Sequence, residues 1–271
     1  MRDFSPRSEA ITSTNFAHTV IYGEKRRLKW GLQAPAGTMD CILPNLYLGG
    51  LVDGAADPEA LKRIEVSAVV CCISYVELPK RREVKGLDYF RVDVDDASHE
   101  PIKSYFAEAI EFIANKLHRE ERVLVHCRSG VSRSATIVVA FVVHHLKISV
   151  HDAFFLVRSK RPVIMPNLGF MDQLCEYEVE IDGNQGDPSI DTYKYTEWYT
   201  SSDPTGVPDL ANEVDDGMFA AIPDAYPVIE GLSHRVSTLV ARAVLSLGTP
   251  TNNFCQISEN QFKKRKFCAA F

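Results

Sequence analysis

The distribution of apolar residues along the chain predicts strands that alternate with helices. Short apolar runs rich in β-branched residues predict strands over 67–73, 89–96 and 123–127, and the segment 41–50 predicts a strand pair or a strand and a turn. A longer apolar run over 135–143 follows the last of these strands and has the length of a helix. This alternation predicts an α/β fold with a central sheet.

Four further helices are predicted in the same part of the chain. The segment 57–63 begins with an aspartate at the N-cap, a proline at the first helical position and a glutamate in the first turn. Residues 150–160 predict another helix, and Asn167 is suited to cap a last one. A helix opened by Pro101 carries its apolar residues on one face, which predicts packing against a core. The residues of this face are Ile102, Phe106, Ile110, Ile113 and Leu117.

The composition limits the classes of protein and compartment to be considered. With 45% hydrophobic residues, the 271-residue chain can form a sizeable core, and its net charge of -6 argues against a nucleic-acid binder. The 7 cysteines include no CxxC pair and favour neither a disulfide scaffold nor a zinc site, so we expect no metal and no cofactor. Because the chain starts without a signal peptide and its apolar runs are shorter than the ~20 residues of a membrane span, we expect a cytoplasmic or nuclear protein.

The stretch 123–140 combines a strand, a polar loop that contains Gly130 and the start of a helix. Backbone N–H groups in such a loop, together with the positive end of the helix dipole, can bind a dianion. The same groups stabilise the thiolate of Cys127, which can then act as a nucleophile. Arg133 can bind two oxygens of a phosphoryl group with its planar guanidinium. The stretch therefore predicts a phosphate-binding site with a reactive cysteine.

The motif His126-Cys127-x-x-Gly130-x-x-Arg133-Ser134 resembles the signature of the cysteine-dependent protein tyrosine phosphatases. Residues 128–134 most resemble the dual-specificity subfamily, and the chain is similar to its small atypical members. A second match, Pro-Asn-x-Gly-Phe at 166–170, extends the resemblance over about 40–180. The resemblance implies a protein tyrosine phosphatase-like α/β fold, with a single central mixed sheet flanked by helices.

The resemblance also implies a role for most residues of the motif. Cys127 is expected to attack phosphorus, while Arg133 and the backbone amides of the loop hold the phosphoryl oxygens. Ser134 is expected to donate a hydrogen bond that helps the sulfur to leave, and His126 and Asn167 are expected to support the loop. The residues of this phosphate loop are Arg128, Ser129, Gly130, Val131, Ser132 and Arg133.

An acid at the end of the predicted strand 89–96 is expected to supply the proton for the leaving group. A phosphomonoester needs this proton as its P–O bond breaks, and a carboxylic acid on a loop across the pocket can donate it. In the family the donor is the last acid of a similar motif, which corresponds to Asp96. Asp93 and Asp95 are the alternatives, and a solvated acidic loop is the alternative interpretation of all three.

These residues predict a protein phosphatase that hydrolyses phosphotyrosine and phosphoserine or phosphothreonine through a cysteinyl-phosphate intermediate. Two alternatives stay open: a phosphoinositide or RNA 5′-phosphate phosphatase with the same loop, and a non-catalytic phosphoprotein-binding module. The expected partner is a phosphorylated protein, with a kinase as one candidate. Arg158, Lys160 and Arg161 either bind acidic peptides or a second phosphate near the pocket, or form an ordinary surface.

The chain is divided into an N-terminal extension (1–38), a catalytic domain (39–181) and a C-terminal extension (182–271). The C-terminal extension is expected to be partly disordered. It begins with an acidic, turn-rich segment over 182–216 that predicts a flexible linker, and an amphipathic helix is predicted over about 229–247.

The last residues, 263–271, combine a basic run with a cysteine four residues from the end. Cys268-Ala-Ala-Phe has the C-a-a-X form of a prenylation signal, and its terminal phenylalanine favours geranylgeranylation. One lipid chain together with a basic patch suffices for peripheral membrane attachment. The basic run is alternatively a nuclear localisation signal.

Overall fold

The computed structural model describes residues 39–53, 55–182, 187–201 and 209–210, which contain a five-stranded sheet with helices packed against it. The strands are β1 (Asp40–Leu43), β2 (Leu46–Gly50), β3 (Val66–Cys71), β4 (Asp88–Arg91) and β5 (Arg122–Cys127). The helices are α1 (Pro58–Arg63), α2 (Phe106–His118), α3 (Arg133–Leu146), α4 (Val150–Lys160), α5 (Leu168–Asp182) and α6 (Thr192–Thr200). Short 3-10 turns cover Leu51–Asp53, Lys80–Arg82 and Ile102–Tyr105.

The strand order is β1-β2-β5-β3-β4, so that β5 lies at the centre of the sheet. β1 and β2 are antiparallel and the other pairs are parallel, which confirms the predicted mixed sheet. Residues 123–125 of β5 are completely buried, as expected for a parallel strand in the middle of an α/β sheet. Cys127, the last residue of β5, is the register partner of Gly50, the last residue of β2. The loop to α3 therefore starts at the carboxyl edge of the sheet, where ligands bind in many α/β proteins.

α3 is buried along most of its length. Every residue from 133 to 143 is buried, because the helix packs against β5, α2, α4 and α5. It ends at Leu146 and is capped by Lys147, which adopts a left-handed conformation with φ 55°. The first turn of α3, which follows the phosphate loop, is thus fixed in the core.

The capping residues predicted the ends of the short helices well, whereas apolar runs overestimated two strands. Asp57 Oδ1 accepts a hydrogen bond from the Glu59 N–H at 3.0 Å at the start of α1, and α4 covers the predicted range 150–160. The strand predicted over 67–73 is β3, which ends at Cys71. The strand predicted over 89–96 is wrong beyond residue 91. β4 is an edge strand whose only neighbour in the sheet, β3, ends at Cys71, so the chain leaves the sheet although Val92 and Val94 stay buried.

The predicted flexible linker over 182–216 is wrong for its described residues 187–201, which contain α6. The carboxylate of Asp191 caps this helix by accepting hydrogen bonds from the N–H groups of residues 193 and 194 at 2.9 and 3.1 Å. Tyr195 and Trp198 are only 1% and 8% exposed, and both rings pack edge-on against Phe154 of α4. The acidic composition was misleading because one acid is a cap and two aromatic residues, Tyr195 and Trp198, lie on the buried face of the helix.

Most of the two predicted extensions lies outside the described residues. This applies to residues 1–38, to the helix predicted over 229–247 and to the basic end 263–271 with Cys268. Among the helices in the described part of the chain, none is both long and apolar enough to cross a membrane.

Candidate active site

The sulfur of Cys127 lies between β5 and α3 and accepts two hydrogen bonds. The Gly130 N–H donates to Sγ at 3.2 Å, and the Ser134 hydroxyl donates to it at 3.1 Å. The residue is only 2% exposed and lies close to the N-terminus of α3. Two donors and the positive end of a helix dipole stabilise negative charge that develops at this position.

The backbone of the phosphate loop is oriented by partners that bind its carbonyl groups. The carbonyl of Arg128 accepts from the Leu51 N–H at 2.9 Å, and the carbonyls of Ser129 and Gly130 accept from Arg161 at 3.1 and 2.7 Å. In a trans peptide the N–H of the next residue points away from the carbonyl. The N–H groups of residues 129–131 therefore point away from these partners, and the Gly130 N–H donates to Sγ of Cys127 on that side.

Arg161 is completely buried, so neither alternative proposed for it from the sequence, peptide binding or an exposed surface, is correct. Its guanidinium pairs with Asp53 at 2.6 Å and with Asp40 at 2.7 Å, while Nε and Nη2 donate to the loop carbonyls. The carboxylate of Asp53, also completely buried, accepts a further hydrogen bond from the Gly50 N–H at 3.0 Å. Arg161 thus connects the loop to β1 and to the end of β2.

Two glycines allow β2 and the phosphate loop to approach each other closely. Gly130 has φ 66°, and a Cβ at this position would lie 2.6 Å from Arg161 Nη2 and from the Gly49 carbonyl. A Cβ at Gly50 would lie 2.6 Å from the carbonyl carbon of Ser129. Gly130 could be identified from its position in the motif but Gly50 could not, because the contact of Gly50 with the loop follows from sheet pairing.

Arg133 is buried beside Glu77, which the sequence analysis did not identify. Nη1 donates to Glu77 Oε1 at 2.7 Å and to the Val94 carbonyl at 3.2 Å. Burial by itself lowers the pKa of Arg133, but the charges of Asp96, Cys127 and Glu77 outweigh burial and raise it, so the guanidinium stays charged. The buried Nε has no hydrogen-bond partner within the described residues, and it remains able to bind an oxygen of a ligand.

Asp96 is the predicted acid that contacts the phosphate loop. Its Oδ1 accepts from the Ser132 hydroxyl at 2.6 Å and from Asn167 Nδ2 at 2.9 Å. The two alternatives lie elsewhere: Asp93 is exposed and accepts from the Tyr75 N–H at 2.7 Å, and Asp95 is exposed. The structure therefore brings Asp96, and not its neighbours, next to the loop.

Asn167 contacts Ser132 of the phosphate loop, and His126 directly precedes Cys127 in β5. Asn167 Oδ1 accepts from the Phe170 N–H at 3.0 Å, as an N-cap of α5 does, and its own N–H donates to Ser132 Oγ at 3.1 Å. His126 Nδ1 lies 3.3 Å from the Cys127 carbonyl oxygen. Burial lowers the pKa of His126 to about 4, so the ring is neutral at pH 7 and is not poised to exchange protons there.

The residues that the sequence analysis missed are distant from the motif along the chain. Glu77 lies in the loop after β3, Asp40 is the first residue of β1, and Asp53 lies in the 3-10 turn after β2. Each of these three carboxylates pairs with an arginine, but no neighbouring residue in the sequence indicates which arginine it pairs with. The chemistry-bearing motif is local, whereas the groups that orient it are assembled by the sheet.

The sequence that forms this site is similar to sequences of known proteins. Residues 46–180 match the family model described as dual specificity phosphatase, catalytic domain. Human dual specificity protein phosphatase 9 is 39% identical over 138 residues, which cover 51% of this chain and 35% of that protein. Mouse dual specificity protein phosphatase 15 is 36% identical over 139 residues, which cover 51% of this chain and 57% of that protein.

A solved structure shares the fold. A mouse protein assigned to the dual specificity phosphatases, crystallised with zinc tungstate, has 28% sequence identity and a TM-score of 0.50. The alignment covers 56% of this chain and 92% of that one. The chain thus spans most of this solved structure, and about a third to somewhat over half of the two curated relatives. Through residues 46–180 this chain belongs to the dual specificity phosphatase family.

Proposed function

We propose that this protein is a phosphatase that hydrolyses phosphotyrosine and phosphoserine or phosphothreonine in proteins through a cysteinyl-phosphate at Cys127. The observation that carries the proposal is the environment of Sγ, which accepts hydrogen bonds from Gly130 and Ser134 at the start of α3. This sulfur lies beside a charged, buried Arg133, an arrangement suited to nucleophilic attack on a phosphoryl group.

In the first step, the Cys127 thiolate forms an S–P bond while the bond between phosphorus and the leaving oxygen breaks. The loop N–H groups and Arg133 hold the three other phosphoryl oxygens as charge develops on them. Asp96 donates its proton to the departing oxygen, which leaves as the neutral alcohol or phenol. Glu77 supports this step by fixing the guanidinium of Arg133 through Nη1, so that its remaining N–H groups can bind the phosphoryl group.

In the second step, water attacks the phosphorus of the cysteinyl-phosphate and the S–P bond breaks. Asp96, now a carboxylate, accepts the proton of this water and is ready for another cycle. The sulfur leaves as a thiolate, which the Ser134 hydroxyl stabilises from 3.1 Å. The reaction releases inorganic phosphate and restores the starting protonation states.

Protein substrates are favoured over phosphoinositides and RNA 5′-phosphates by the composition of the loop. Its variable positions are Arg128, Ser129, Val131 and Ser132, with neither the lysine nor the histidine that a more negative substrate favours. Arg128, whose Nη1 lies 3.7 Å from Glu77 Oε2, is the one additional cation among them. A phosphorylated kinase is a candidate substrate, and curated relatives are named as protein phosphatases.

The experiment compares turnover of an aryl phosphate, a phosphotyrosine peptide and a phosphothreonine peptide by the wild type, Cys127→Ser and Asp96→Ala. We expect turnover of all three by the wild type, none by Cys127→Ser, and a loss of about 10²-fold or more for Asp96→Ala with the peptides. Asp96→Ala should also capture phosphorylated proteins from a lysate. Turnover confined to a phosphoinositide or a 5′-phosphorylated RNA would favour the corresponding alternative, and binding without turnover would favour a phosphoprotein-binding module.

We also propose that the protein is cytoplasmic and that prenylation of Cys268 attaches it to membranes, supported by the C-a-a-X form and the basic run before it. Cys268→Ser is then expected to move the protein from the membrane fraction to the soluble fraction. Unchanged partitioning, or a loss of nuclear signal when the basic run is neutralised, would contradict the membrane proposal.

A further inference from the structure

The hydroxyl of Tyr195 on α6 lies at one end of a chain of hydrogen bonds that reaches Asp96. Tyr195 Oη donates to the Pro166 carbonyl at 2.7 Å, and this bond is buried. The N–H on the other side of the same peptide unit belongs to Asn167 and donates to Ser132 Oγ at 3.1 Å. Ser132 Oγ in turn donates to Asp96 Oδ1 at 2.6 Å.

The peptide unit between Pro166 and Asn167 couples the position of the Tyr195 hydroxyl to the position of Ser132 Oγ. Its carbonyl and its N–H point in opposite directions because the unit is planar and trans. A rotation that shifted the carbonyl away from Tyr195 would also shift the N–H away from Ser132. Asn167 Nδ2 additionally donates to Asp96 at 2.9 Å, so the same residue holds the carboxylate at a second point.

The ring of Tyr195 is placed by packing that does not involve the phosphate loop. Phe154 of α4 lies edge-on to it with ring centroids 6.0 Å apart, and Trp198 lies 5.4 Å away on the same helix. The guanidinium of Arg158 stacks over Trp198 at 4.8 Å and donates to the Ile164 carbonyl at 2.9 Å. α6 therefore contacts the segment before Asn167 directly at residue 166, and its Trp198 packs on Arg158 of α4, which contacts residue 164.

We infer that Tyr195 is a positioning residue for the reaction: through the Pro166–Asn167 peptide and Ser132 it sets the orientation of the Asp96 carboxyl group. The inference rests on the proposed function, since it concerns the proton that Asp96 donates. It makes α6, which lies outside the matched residues 46–180, a part of the catalytic apparatus.

The test uses the dependence of turnover on the leaving group. A poor leaving group such as phenol needs the proton of Asp96, whereas a strongly acidic phenol such as a fluorinated umbelliferone leaves without it. We expect Tyr195→Phe, which keeps the packed ring, to lower kcat for phenyl phosphate about tenfold and to change kcat for the activated phosphate less than about twofold. The expected loss is smaller than the rate increase of roughly 10²–10⁴-fold that a general acid contributes.

Tyr193→Phe is the matched control, because Tyr193 lies on the same helix and is 71% exposed. It should leave the ratio of the two rates unchanged. In an Asp96→Asn background, Tyr195→Phe should cause no further change in the ratio, since the residue acts through Asp96.

Equal losses for both substrates, or an unchanged ratio in an active Tyr195→Phe enzyme, would overturn the inference and leave the proposed function intact. A further change of the ratio in the Asp96→Asn background would overturn it as well. A wild-type enzyme that turns over neither phosphate would overturn the proposed function, and the inference with it.

Discussion

Arg161 donates a hydrogen bond to the backbone of Gly130 and also occupies the space that a side chain at position 130 would need. Arg161 Nε donates to the Gly130 carbonyl at 2.7 Å, and a Cβ at Gly130 would lie 2.6 Å from Arg161 Nη2. The arginine thus occupies the volume beside the glycine and also orients its peptide group. The geometry of the phosphate loop depends on a residue 31 positions later in the chain.

Replacement of Arg161 by methionine is expected to destabilise the fold strongly. The variant leaves Asp53 completely buried without its cation, and loss of one partner of a buried ion pair costs about 3–5 kcal/mol. Urea denaturation monitored by fluorescence measures the change in the free energy of unfolding. The double variant Arg161→Met/Asp53→Asn should recover part of the loss because it removes the uncompensated charge. If Arg161→Met had the same free energy of unfolding as the wild type, the ion pair would contribute nothing to stability.

Replacement of Gly169 by alanine is expected to displace the loop that carries Asp96. A Cβ at Gly169 would lie 1.9 Å from the Ser98 carbonyl oxygen, so the start of α5 and this loop must move apart. Overpacking of this kind costs about 1–3 kcal/mol of stability, and kcat for phenyl phosphate should fall more than kcat for an activated phosphate. Gly86→Ala is a control for backbone strain alone: with φ 87° at Gly86 the alanine also costs stability, but its Cβ would contact nothing within 4 Å, so the ratio of the two rates should not change. Equal kinetics of Gly169→Ala and the wild type would refute the predicted displacement.

Replacement of Ser134 by alanine is expected to slow the breakdown of the cysteinyl-phosphate more than its formation. The variant removes the hydroxyl that donates to Cys127 Sγ at 3.1 Å and stabilises the leaving thiolate. Stopped-flow measurement with an aryl phosphate should show a burst of phenol that approaches one equivalent of enzyme. Ser159→Ala, which removes a hydroxyl bonded only to the Leu156 carbonyl in the described structure, should show the kinetics of the wild type. A burst-free variant with unchanged kcat would count against this role of Ser134.

His126 is expected to make stability fall in mildly acidic solution. Burial lowers its pKa from 6.5 to about 4, so between these values the unfolded chain binds a proton that the folded protein does not. The contribution of the neutral His126 ring to the free energy of unfolding is therefore complete above about pH 6.5, and it is lost as the pH falls toward 4. Linkage gives a loss of about 2 kcal/mol between pH 7 and pH 5. Urea denaturation at both pH values should show this difference in the wild type and a smaller one in His126→Asn; the same difference in both proteins would contradict the assignment.

The sequence was sufficient to predict those features that depend on residues close together in the chain. The reactive cysteine, Gly130 and Arg133 lie within seven positions of one another, and strand, loop and helix geometry bring them together. The cap at Asp57 is local in the same sense. For this reason the strand-loop-helix unit and the mixed sheet of the family could be predicted.

The sequence was insufficient to predict those contacts that form between residues far apart in the chain when the sheet assembles. Arg161 was grouped with surface cations because nothing near it indicates Asp53, which lies 108 positions earlier. Glu77 could not be matched with Arg133 for the same reason. Charge composition suggested a flexible linker where Tyr195 and Trp198 pack a helix onto α4, because composition does not register the spacing of a few aromatic residues.

Rapid acid quench with peptide mass spectrometry shows whether Cys127 carries the phosphoryl group during turnover. Asp96→Asn enzyme mixed with an activated aryl phosphate, whose leaving group needs no proton, should carry phosphate on the peptide that contains Cys127, and the wild type should carry it transiently. Phosphate release by a purified Cys127→Ser enzyme at the rate of the wild type, or turnover without any phosphate on this peptide, would contradict the account.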